Sequence, residues 1–69
     1  MMRHPSVEAI IKYFSYDHLS GKPKEISSKC KDLVTEMLNE LPEDSPELTV
    51  GLRKLLEAKD CFVRASLDM

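Results

Sequence analysis

Apolar residues fall along this chain in three runs of helical spacing. Val7, Ile10, Ile11 and Phe14 recur at i, i+3, i+4 and i+7. That spacing keeps them on one face of a helix turning about 100° per residue. The pattern predicts a short helix over about residues 5–15, with Pro5 in its first turn and Glu8 at its positive end. Such a helix does not persist alone and must dock on the rest. Tyr13 and Lys12 lie off its stripe, and Met1 to Arg3 are expected to fray. SYDHLSGK then breaks the pattern, with Gly21 as its punctuation.

Ile26, Cys30, Leu33, Val34, Met37 and Leu41 form the second stripe and predict a helix over about residues 22–41, with Pro23 in the first turn and Pro42 as the stop. Ser27, Ser28, Lys31, Thr35 and Asn39 fall off this stripe. The third run is the best specified. Ser45 is a good N-cap, Pro46 suits the first helical position and Glu47 complements the dipole, predicting a helix over about residues 45–66. Leu48, Leu52, Leu55, Leu56, Phe62 and Val63 share its apolar arc, with Lys59 in the middle. Gly51, Ala58 and Ala65 repeat beside the arc at seven-residue spacing, a strip suited to close approach by a helix of another subunit. The far side carries the i,i+4 pairs Arg53–Glu57 and Asp60–Arg64.

Two long helices joined by LPEDSP must fold back antiparallel. The expected fold is all-α, one domain over residues 1–69: a short N-terminal helix plus an antiparallel two-helix hairpin, assembled into a compact homo-oligomer. Self-association is expected because so short a chain buries a marginal core. Cys30 and Cys61 are too few for a disulfide framework and lack metal-ligand spacing, so reduced, buried or half-buried thiols are expected. That fits a cytoplasmic protein, as does the lack of a signal-like or membrane-spanning apolar run.

Net charge is −2, which argues against duplex nucleic acid as a partner. The distribution is uneven: residues 1–31 carry +3 and residues 32–69 carry −5. Basic clusters in the first half could meet a small anion, although solvated helix faces account for them more plainly. His4 and His18 are the only histidines. Neither is arranged with a nucleophile, and there is no phosphate-binding glycine loop, HExxH or CxxC. The expectation is no enzyme, no catalytic residue, no metal and no cofactor.

Binding is better provided for. Tyr16 and His18 are flat groups at a helix-breaking corner where they could stack on a base, and Lys29, Lys31 and Arg53 could supply charge. Each has a structural alternative: Tyr16 as a plug, His18 as a cap, the lysines as solvated groups, Arg53 as the partner of Glu57. Lys59 is harder to dismiss, because an ammonium within an apolar stripe needs a carboxylate, a carbonyl or a ligand, unless its stem snorkels.

YFSYDHL, ISSKCKDLV, LPEDSPE and LRKLLEAKDCFVRASL, in this order, resemble a family of very small phage proteins. The likeness covers about residues 5–67, and LRKLLEAKD followed by VRA is its most specific part. The family shares the helical hairpin domain of phage anti-CBASS and anti-Thoeris proteins. The resemblance implies a nucleotide sponge, which sequesters the cyclic nucleotide messengers of bacterial immunity without cutting them. For the anti-CBASS members it implies a compact homo-hexamer with ligand pockets between subunits, in the cytoplasm of the infected host. In those relatives an aromatic at the hairpin entry stacks on the ligand and a lysine on the first long helix meets phosphate. Tyr16 and Lys31 match those roles best, with His18 and Lys29 as near neighbours. Relatives also place an arginine near the start of the second long helix for a cyclic trinucleotide. Here that start reads Ser45-Pro46-Glu47-Leu48, and Arg53 is the nearest basic residue. The competing reading is a small phage adaptor that binds a host protein through the charged face of its last helix.

Overall fold

The computed structural model describes residues 3–68. They form α1 (Pro5–Lys12), α2 (Gly21–Glu40) and α3 (Pro46–Ser66), with no strand among the described residues. α3 packs against both α2 and α1, and the chain measures 38 × 19 × 19 Å. At about 1.5 Å per residue, α3 alone spans most of the long axis. None of the described helices is long and apolar enough to cross a membrane.

α1 ends at Lys12 rather than near residue 15. Phe14 N–H and Ser15 N–H donate to Ile11 and Lys12 carbonyls at 3.0 and 3.2 Å, i to i−3 bonds that tighten the chain into a turn. The tightening swings Phe14 fully inside, where it joins Val7, Ile10, Val34, Leu48 and Leu52 in the core. α2 opens at Gly21, whose φ of +67° is open to glycine at little steric cost. α3 opens as expected: Ser45 Oγ accepts from Leu48 N–H at 3.1 Å, with Pro46 next.

Arg3 corrects the expectation of a frayed start; Met1 and Met2, which shared it, lie outside the described residues. Its guanidinium pairs with Asp44 and donates to the Leu38 and Leu41 carbonyls at 2.6 and 3.0 Å. A cation thus closes the C-terminal end of α2, where carbonyls have no helical partner. Asp44 also accepts from His4 N–H. That backbone bond first, and Arg3 second, hold the Asp44 carboxyl below its ordinary value.

The face α2 turns inward also differs from its apolar stripe. Ser27 and Val34 are buried and Cys30 and Leu38 half-buried, whereas Leu33, Met37 and Leu41 stay exposed. Taking about 100° per residue, the helix is rolled roughly 60° from the centre of its stripe. Val34, on this rolled face, joins Phe14, Leu48 and Leu52 in the core, and α3 is the helix against which α2 chiefly packs. Phe62, expected on the core arc of α3, is likewise 57% exposed. Gly51 and Ala65 of the small-residue strip are exposed and Ala58 is half-buried. A Cβ built on Gly51 would meet nothing within 4 Å, so no helix of this chain uses that approach.

Both cysteines are free. Burial pushes the Cys30 thiol up, opposed in part by the Lys59 charge. Cys61 is exposed instead of packed, and its Sγ accepts from Arg64 at 3.4 Å. Arg64 therefore does not reach Asp60, and no Arg53–Glu57 ion pair forms among the described residues.

Candidate functional site

The corner between α1 and α2, Tyr13 to Ser20, carries the polar groups of interest. Phe14 anchors it from below. Leu19 N–H donates to Tyr16 carbonyl at 3.0 Å, closing a turn that sets Tyr16, Asp17 and His18 at its rim. Lys59 holds it from the side: the ammonium donates to Tyr13 carbonyl at 2.9 Å and lies 3.3 Å from the Asp60 carboxylate. Carbonyl and carboxylate together answer what an ammonium in an apolar stripe requires. The same bond puts positive charge on the C-terminal end of α1, whose carbonyls would otherwise repel an anion.

Two hollows flank this corner. The first, about 290 Å³, is lined by Ile11, Lys12, Phe14 and Ser15 together with Tyr16, Asp17 and Lys31. The second contains His18, Tyr13, Lys59 and Asp60 and shares Lys12 and Ser15 with the first. Tyr16 and Lys31 are thus brought together within one chain, with a second ammonium from Lys12 and one carboxylate from Asp17. Neither Lys12 nor Lys31 forms an ion pair among the described residues, whereas Lys22 and Lys29 reach Glu25 at 3.4 and 3.8 Å. The first hollow can therefore offer charge to an anion and an aromatic face to a flat ring.

The other three candidates lie apart from it. His18 borders the second hollow. Lys29 stands on the outer α2–α3 seam. Arg53 is exposed on the charged face of α3 and belongs to neither hollow. Lys12 was missed as a site residue although a signal was present: it sits off the apolar stripe at the end of α1, four residues before Tyr16. No group of three or more His, Cys, Asp or Glu able to hold a metal occurs among the described residues.

Fold and site together define a small three-helix chain with a basic, aromatic-edged corner. Comparison with family models, with curated proteins and with solved structures finds no match to it.

Proposed function

We propose that this chain is a phage anti-defence sponge. It binds cyclic nucleotide immune messengers, cyclic dinucleotides foremost, and sequesters them without hydrolysis in the cytoplasm of the infected cell. The working unit is a homo-oligomer, a hexamer by its resemblance to the anti-CBASS proteins. The observation that carries the reading is the meeting of Tyr16 and Lys31 in one hollow, although they come from different elements. Tyr16 offers a rigid face to a base, and Lys31, helped by Lys12, a point charge to a phosphate. At about 290 Å³ the hollow falls just below the roughly 300–1,000 Å³ usual for small-molecule pockets. A ligand with two bases and two phosphates needs such a half-site from each of two copies, and a symmetric pocket supplies each group twice.

The test is recovery. Purified protein is mixed with a panel of cyclic nucleotides, desalted, then heat-denatured, and the released ligand is analysed by chromatography. Intact ligand that appears only after denaturation is the expected result. Degraded ligand indicates an enzyme, and no retained ligand returns the question to the charged face of α3 and an adaptor.

A further inference from the structure

The outer seam between α2 and α3 carries a long apolar groove. Two hollows sharing Leu33 and Leu55 merge there, running from Ile26 and Phe62 at one end to Leu41 and Leu48 at the other. Leu33, Met37, Leu41 and Phe62 are 40, 37, 48 and 57% exposed along it.

Charge gives the groove a direction. Lys29 lines its Ile26 end, while Glu43 and Glu47 line its Leu41 end. Lys29 has only a loose hold on Glu25, at 3.8 Å. Glu43 and Glu47 enter no ion pair among the described residues. Two grooves laid side by side in parallel would set like ends together. Turned end for end, they set Lys29 of each copy on Glu43 and Glu47 of the other.

We propose that the groove receives a second copy of this chain, related by a two-fold axis passing between Leu33 and Met37, midway from Lys29 to Glu43. The inference rests on the self-association in the reading above and names the surface that performs it. Such a contact is self-complementary: each copy's Phe62 end covers the other's Leu41 end, and both charge contacts form twice. Gly51 and Ala65 also line the groove and let a neighbouring backbone come close.

The experiment is sedimentation equilibrium of the full chain, with circular dichroism confirming that each variant remains helical. Lys29→Glu in one variant, and Glu43→Lys with Glu47→Lys in another, should each raise the dissociation constant about tenfold or more, because like charges then meet twice. An equimolar mixture of the two variants should return to the parent's constant, since every junction again pairs opposite charges. A parent that sediments as a monomer overturns self-association and the groove together. A self-associating parent whose reversals leave the constant unchanged overturns the groove alone. Reversals that weaken association without recovery on mixing overturn the end-for-end arrangement.

Discussion

The two corners of this chain are built on different plans. Leu41 to Ser45, between α2 and α3, is locked: Arg3 closes the end of α2, Asp44 takes both Arg3 and His4 N–H, and Ser45 caps α3. Tyr13 to Ser20, between α1 and α2, is held by two anchors, Phe14 in the core and Lys59 on the Tyr13 carbonyl. Ser20 makes no side-chain cap. The locked corner uses Arg3, His4 N–H, Asp44 and Ser45 on its own backbone and helix ends, and leaves Glu43 turned to the outer groove. The anchored corner leaves Lys12 and His18 exposed and Tyr16 and Lys31 half-buried around two hollows. Groups free to meet a small ligand gather at the anchored corner, because a side chain cannot satisfy its own backbone and a ligand at once.

Four measurements test that contrast. Phe14→Ala should cost about 3–5 kcal/mol, since the ring is fully buried and its loss leaves a cavity under the open corner. A melting temperature equal to the parent's would show that the corner is not anchored there. Changes at the rim should act on binding instead. Lys31→Ala should cost ~1.5–3 kcal/mol in cyclic dinucleotide affinity and flatten its salt dependence. Tyr16→Ala should lose ~1–3 kcal/mol of stacking and leave the salt dependence alone. Calorimetry at two salt concentrations separates the two, and parent-like affinity in both variants removes this site from the proposal.

Smaller effects separate the two N-caps. Ser45→Ala should destabilise by about 1 kcal/mol in denaturant titration and Ser20→Ala by much less, because only Ser45 bonds its helix. Equal costs would erase the difference between the corners. Asp44 contributes a pH dependence. Its carboxyl lies below the ordinary 3.8 in the folded chain. Its stabilisation is therefore fully present above that value and fades as pH falls through the lowered one. Asp44→Asn should melt below the parent at neutral pH, and the gap should close in acid. A gap that is constant from neutral pH to pH 3 or so would mean the carboxylate's charge plays no part.

The three helices and their boundaries were readable because their signals are local. Ser45-Pro46-Glu47 sets the start of α3 by hydrogen bonding and dihedral preference within a few residues, and Pro42 stops α2 by the same kind of rule. The end of α1 was misplaced by three residues because the apolar stripe runs on to Phe14. That residue is buried as predicted, but from a turn with i to i−3 bonds beyond the helix. Tyr16 and Lys31 were legible as a flat group at a helix-breaking corner and a charge on the second helix. The resemblance ranked them first, while the place of Lys12 beside them needed the folded corner.

The sequence by itself determined that the chain is three helices, that the last two form a hairpin, and that Lys59 needs a polar partner. Only tertiary structure decided which partner it takes, that Arg3 clasps the far corner, and that α2 turns Ser27 inward while Leu33 and Met37 face out. The reason is physical. Helix identity follows from neighbours three and four residues apart, but the roll of one helix on another is a compromise among all the surfaces it must cover. Here α1 and α2 both pack on α3, and no periodicity within α2 records how it must sit beside the chain that leaves α1.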